Sequence, residues 1–340
     1  MTDSSVLPVQ DEHPRRGRCA SLGGLAVLLA CACGAKPWSS HLEDPLPSSL
    51  SKTGICANLE TLDPAPSMLA YTPAWPLYSD GADKRRLLAL PEGTTIDASW
   101  TFPVGTLLVK TFTFDDLAGR AAASPVETRL LFRRRVGWHY AVYQWNEAGT
   151  DATLVDGDWN EVPLHLEREG GESFLYVLPS RLDCRACHET SQQRTGNPVL
   201  GIGPHQLSAE LATNGAFAEA PRVMPVKGRT DAETAALGYF VGNCISCHHG
   251  GAGSNASFSL YPEDAVEQTV GRPVQSEVAE GVRVVPGDGD ASALFVAVTQ
   301  ARSAGRRARS TPMPPIGVTK SDPEAAPILR RWIDELAVPK

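Results

Sequence analysis

The sequence predicts an α+β protein of two domains, an N-terminal antiparallel β-sandwich-like domain followed by a smaller all-α domain. Three observations carry that reading. Short runs that alternate with a period of two, rich in aromatic and β-branched side chains, recur between about residues 70 and 180. Beyond residue 180 the spacing becomes helical, with Gly-, Pro- and Ser-rich loops between. The 340 residues are enough for about two domains of ~100–200 residues each. Composition narrows the class further: 42% hydrophobic and 21% charged residues, with 31 basic against 39 acidic side chains and a net charge of −8, describe an ordinary globular chain. No long Lys/Arg tract is present, so no nucleic-acid partner is expected. No apolar run reaches the ~18–20 residues of a membrane-spanning helix. Eight cysteines are too few for a disulfide scaffold, so their positions carry the information.

Residues 1–33 read as an export leader, in which Arg15, Arg16 and Arg18 precede the apolar stretch Leu22 to Ala32. Leu28-Leu29-Ala30-Cys31 resembles the bacterial lipoprotein cleavage box. Cys31 is then the lipidated residue, with Cys33 a second candidate and ordinary cleavage near Ala32 or Ala35 the alternative. A periplasm-facing location follows, with the membrane touched only through the lipid. Residues 34–60 are a Pro/Ser-rich tether. Cys33 and Cys56 are near enough in sequence to pair in an oxidising compartment.

Residues 61–218 form the β-rich domain. Strands are expected at Leu107–Phe114, Glu127–Arg135, Trp138–Trp145, Val162–Glu169 and Glu172–Leu178, divided by turn signals such as Pro91-Glu92-Gly93 and Glu147-Ala148-Gly149. Trp138, Tyr140, Tyr143 and Trp145 are expected to pack on sheet faces. Arg133-Arg134-Arg135 reads as a solvated strand end or a docking patch. After a polar, Pro/Gly-marked boundary, residues 228–340 carry helices at Asp231–Asn243 and Glu324–Leu336.

Two pentapeptides hold the chemistry. Cys184-Arg185-Ala186-Cys187-His188 and Cys244-Ile245-Ser246-Cys247-His248 both spell C-x-x-C-H, the attachment site of c-type haem. Two cysteines three apart on one turn reach both vinyl groups of a porphyrin, and the adjacent histidine lies under the ring as proximal iron ligand. Chance supplies roughly 0.004 such pentapeptides for a chain with this many Cys and His. Two covalently attached c-type haems are therefore expected, at Cys184, Cys187 and His188 and at Cys244, Cys247 and His248. The alternatives are a thioredoxin-like C-x-x-C pair and a zinc site assembled from both pairs.

The second motif has the surroundings of a class I cytochrome c domain: a helix leading in, an apolar stripe Ile328, Leu329, Trp332 and Ile333 on the last helix, and Met313 in Pro312-Met313-Pro314-Pro315 as axial thioether. His/Met ligation raises reduction potential and leaves no open coordination site, which points to electron transfer rather than catalysis. For the first motif the distal candidates are His205 and Met224, with a five-coordinate iron a third option. His139 and His165 read as sheet residues, and His249 faces solvent or a propionate.

The series Tyr71-Thr72-Pro73, Trp75-Pro76-Leu77-Tyr78-Ser79-Asp80, Phe102 to Phe112, Glu127 to Leu131 and Trp145-Asn146-Glu147 resembles a largely uncharacterised family of bacterial exported dihaem c-type cytochromes. Members carry such a β region, then C-x-x-C-H, then a class I cytochrome c domain. The resemblance covers about residues 60 to 336 and implies haem binding and electron transfer with redox partner proteins of the cell envelope. Gly105-Thr106-Leu107-Leu108-Val109-Lys110 also resembles a strand of the hydroxylamine-oxidising β-sheet cytochromes. That likeness implies a first haem against the sheet with an open face, and with it the alternative of a haem enzyme, a peroxidase or small-nitrogen-compound oxidase.

Overall fold

Alternation along the β runs builds the centre of the molecule. The computed structural model describes residues 42, 45–251, 256–275, 281–300 and 311–336, without the side chains of 192–195. The leader, Cys31 and Cys33 lie outside the described residues. Strands β3 (Met68–Ala70), β4 (Asp83–Ala89), β5 (Leu107–Phe114), β6 (Ser124–Arg133), β7 (Trp138–Trp145) and β8 (Ala152–Leu154) pair in sequential order as one antiparallel sheet. Odd-numbered positions of β5, Leu107 and Val109, share a face with Leu87, Leu130, Phe132, Tyr143 and Trp145, and pack on Leu42, Leu50 and Ile55 of the N-terminal segment. Even-numbered positions face the other way. There Leu88, Leu108, Leu131 and Tyr140 form one apolar cluster. Phe112, Phe114 and Val142 form another, against Leu166, Phe174, Tyr176 and Leu178 of the hairpin β9 (Val162–Glu167) and β10 (Ser173–Leu178). Each fully buried apolar side chain contributes about 1.5–3 kcal/mol relative to exposure. A small ribbon of β1 (Cys56–Asn58) and β2 (Asp63–Pro64) completes the β structure of the described residues.

Among the described residues, six α-helices follow the strands: α1 (Arg181–Thr195), α2 (Ala209–Thr213), α3 (Asp231–Asn243), α4 (Ala265–Thr269), α5 (Ala293–Thr299) and α6 (Ala325–Glu335). Helix α1 opens on a reciprocal cap. Ser180 Oγ accepts from the Asp183 N–H at 3.2 Å, while Asp183 Oδ2 accepts from the Ser180 N–H at 2.9 Å and its hydroxyl at 2.6 Å. At α3, Thr230 Oγ1 accepts from the Glu233 N–H at 3.1 Å, the side-chain cap expected of that residue type. The apolar stripe of α6 buries Leu329, Trp332 and Ile333, and Trp332 meets Phe240 of α3 edge to face at 5.6 Å.

The expected division into a β-sandwich-like domain and an all-α class I cytochrome c domain is not what the structure shows. Strand exceeds helix, at 26% against 21%, and the strands form one six-stranded sheet with two short ribbons rather than two matched sheets. Residues 36–340 make up one compact unit, so the later helices are not a separate all-α body. The physical reason lies in the loops between α3 and α6. Their Gly, Pro and Ser content breaks regular helix, leaving α4 with five residues, α5 with seven and isolated bridges such as Val270↔Val284 and Pro273↔Val282 between them. These segments pack with α3 and α6 as a cluster of their own, and one cavity is lined both by them and by the sheet.

Candidate functional site

The two C-x-x-C-H motifs reach this cavity by different routes. Helix α1 carries the first directly after β10, with Cys184 packed between the two apolar clusters of the sheet face. The second follows α3 as a tight turn, in which the Cys247 and His248 N–H groups donate to the Cys244 carbonyl at 3.1 and 2.9 Å. Helix α3 comes this close because of its glycines. A Cβ on Gly238 would stand 2.2 Å from the Trp75 ring, and one on Gly242 2.7 Å from the Pro76 carbonyl oxygen. Asn243 fixes the end of the helix by accepting from the Tyr78 N–H at 2.8 Å. Gln206 ties both sides, accepting from the Trp75 N–H and donating to the Val241 carbonyl.

All six motif residues line one cavity of about 900 Å³. That is near the upper end of the ~300–1,000 Å³ typical of ligand and cofactor sites. Cys187 and Cys247, the second cysteine of each motif, are within hydrogen-bonding reach of one another across it, and this contact with burial pushes the Cys187 thiol well up. Burial also pushes Cys184 up to about 11 and Cys244 up to about 12. A thioredoxin-like C-x-x-C pair belongs to a βαβ setting, and among the described residues every sheet is antiparallel.

Both motif histidines suit an iron ligand. Burial lowers His188 to about 4, and its Nδ1 is 2.6 Å from the Pro198 carbonyl, which fixes the N–H there and leaves the Nε2 lone pair free to coordinate. Burial, reinforced by Arg283, lowers His248 to about 4 as well, and its buried Nδ1 has no hydrogen-bond partner among the described residues. The His248 ring lies 4.6 Å from that of Phe258, and the His188 ring 5.6 Å from that of Tyr140. Neutral imidazoles in an apolar cavity beside paired thiols fit a thioether-linked haem. Among the described residues no three His, Cys, Asp or Glu side chains converge to hold a bare metal ion.

Met313 lines the same cavity, its N–H held by the Ala297 carbonyl of α5 at 2.8 Å and its Pro314 peptide bond cis. His205 and Met224 line it too; His205 Nδ1 is 3.0 Å from the Met224 carbonyl, and its Nε2 stands 3.5 Å from Glu263, an ion pair only when the ring is protonated. Met224 is 37% exposed.

Away from the cavity, Arg133 and Arg134 donate to the Phe102 and Leu42 carbonyls, so they tie the end of β6 to the chain before β5 and to the N-terminal segment. Cys56 is half-buried on β1. Tyr143 and Trp145 pack on the sheet face expected of them, whereas Tyr140 turns a buried hydroxyl, unpartnered among the described residues, to the cavity side. Of the wall formed by Arg86, Lys110 and Arg129, sequence reasoning reached only Lys110, at the end of the strand Gly105 to Lys110. The wall's signal is the run Asp83-Lys84-Arg85-Arg86 entering an apolar strand, which reads as a solvated charge run unless β4 is recognised.

Comparison with protein-family models, with curated proteins and with solved structures returned no match.

Proposed function

We propose that this chain is an exported dihaem c-type cytochrome that transfers electrons with redox partner proteins of the cell envelope. The observation that supports it most directly is the convergence of both C-x-x-C-H motifs on one cavity, with Cys187 touching Cys247. Cys184 and Cys187 would hold one haem and Cys244 and Cys247 the other, with His188 and His248 as iron ligands. Bound there, the haem irons supply one-electron chemistry. The Pro198 carbonyl orients His188, and the Ala297 carbonyl holds the loop that presents Met313 to the cavity of His248. Contact between the attachment points brings the two sites together, as an electron path within one chain requires. A lipid on Cys31 would hold the molecule at the periplasmic face of a membrane; among the described residues no helix is long and apolar enough to span one.

The test is covalent haem in the exported protein. Denaturing electrophoresis followed by haem staining, with pyridine haemochrome quantification, is expected to give two haems per chain, falling to one in Cys184→Ala/Cys187→Ala. A negative stain on the exported protein ends this reading. A second reading, a haem enzyme whose first centre is open, is favoured by the buried hydroxyl of Tyr140, unpartnered among the described residues. High-spin features or ligand binding at half the haem would support it, and two low-spin centres would exclude it.

A further inference from the structure

Three cations stand in register across the middle of the cavity-facing sheet. Arg86 of β4 pairs with Lys110 of β5, and Lys110 pairs with Arg129 of β6, so directly opposed residues put all three on one face. All three line the cavity, between the apolar cluster of Leu88, Leu108 and Leu131 and that of Phe112 and Phe114. Like charges placed opposite one another on neighbouring strands destabilise a sheet, and a buried cation ordinarily has a carboxylate. Among the described residues only Arg129 has one: Glu127, itself fully buried, accepts from its guanidinium at 2.9 and 2.6 Å and from the Tyr176 hydroxyl. Arg86 is 7% exposed and donates one long hydrogen bond, 3.4 Å, to the Lys84 carbonyl. Lys110 has no hydrogen bond or ion pair among the described residues, only the face of Phe112 at 4.7 Å. The row therefore sets three basic side chains, Arg86 buried and Lys110 and Arg129 half-buried, against a single carboxylate in the cavity wall.

We infer that Arg86, Lys110 and Arg129 form an anion site in the cavity wall, taking a carboxylate or a small oxyanion with its oxygens directed at Arg86 and Lys110. Burial, with the flanking guanidinium groups, pushes the Lys110 amine well below its ordinary value, and a bound anion would restore its charged form. Lys110 and Arg129 are also near enough to His188 to depress it further, so the anion would lie beside the first motif. Two sources share this chemistry: the propionate carboxylates of a haem attached at Cys184 and Cys187, or a free small oxyanion entering the cavity. The first source rests on the proposed function above; the second does not.

Calorimetric titration of the purified full-length protein with sodium nitrite and with sodium sulfate, at fixed chloride, distinguishes them. Haem content and the midpoint potentials of both centres are measured on the same preparations, for wild type, Arg86→Gln and Lys110→Met. A free oxyanion site gives a saturable heat whose affinity drops about tenfold or more in each variant, the loss of one charge-assisted hydrogen bond. A propionate site gives no heat, but each variant lowers the potential of the first haem and leaves the second unmoved, because cations beside a haem favour its reduced form. No heat together with unmoved potentials overturns the inference. A preparation without haem overturns the cytochrome reading instead, and the calorimetry still decides whether the row binds an anion. Lys110→Met should melt at or above the wild-type temperature, since it removes a like charge; a marked fall would make the row a structural feature and also overturn the inference.

Discussion

At the scale of single residues, the contrast between His188, His205 and Met313 is one of what each atom is already doing. His188 has one nitrogen committed to the Pro198 carbonyl and the other free, and a backbone acceptor of this kind is what orients a metal-binding imidazole from behind. His205 has Nδ1 on the Met224 carbonyl and Nε2 facing the Glu263 carboxylate at 3.5 Å. Met313 has only its backbone committed, through the Ala297 carbonyl, and its thioether packs against the cluster around Phe240 and Trp332. If Met313 supplies the sulfur ligand, Met313→His keeps a low-spin iron but lowers the midpoint potential of that centre, because thioether ligation raises it. Redox titration of the purified protein checks this. An unchanged potential would remove Met313 from the coordination sphere.

Among the elements, α3 shows most clearly how the site depends on fit. Its arrival at the cavity requires the helix backbone to lie against the Trp75 ring and the Pro76 carbonyl, and two glycines one turn apart allow this. Gly238→Ala drives a methyl into the indole, and overpacking of this kind costs about 1–3 kcal/mol. Thermal melting should show the loss, and Trp75→Leu in the same chain should restore part of it, since residues in contact do not behave additively. Full loss in the double variant would mean that Trp75 is not the obstacle. The same helix was legible in the sequence, at Asp231–Asn243, because its cap, its spacing and its end all agree. Strands β5 and β7 were legible to the residue for a similar reason, regular alternation between two buried faces. Strand β4 was not, because four charged residues open it, and the burial of the last, Arg86, comes only from tertiary packing. Helix α1 was hidden too, since charged and polar residues fill most of its length and its apolar contacts are made chiefly by the motif itself. The motifs were plain as strings, whereas their meeting in one cavity depends on long-range packing that no local pattern encodes.

Over the whole molecule, the segment that brings Met313 to the cavity is anchored far from it in sequence. Asp80, 2% exposed and held at φ 53°, accepts from the Thr319 N–H at 2.9 and 2.8 Å, from its hydroxyl at 3.1 Å and from the Lys320 N–H at 2.9 Å. Lys320 then reaches Glu172, in the turn of the β9–β10 hairpin, at 2.8 Å. One carboxylate thus joins the loop before β4 to the loop before α6, the closure that a division into independent β and α bodies would lack. Asp80→Ala leaves two backbone donors without their acceptor and should cost about 1–3 kcal/mol, with a further ~1–2 kcal/mol for alanine in the left-handed region. Asp80→Asn keeps one acceptor oxygen and tolerates that backbone, so its loss should be smaller. Chemical unfolding followed by circular dichroism and by tryptophan fluorescence is expected to give coincident single transitions in the wild type, shifted together in both variants. Because Asp80 spans the halves, its removal destabilises the β region and the helices alike. Two separated transitions in the wild type, or a shift confined to one probe in Asp80→Ala, would mean that the halves fold independently and that the clamp only decorates their contact.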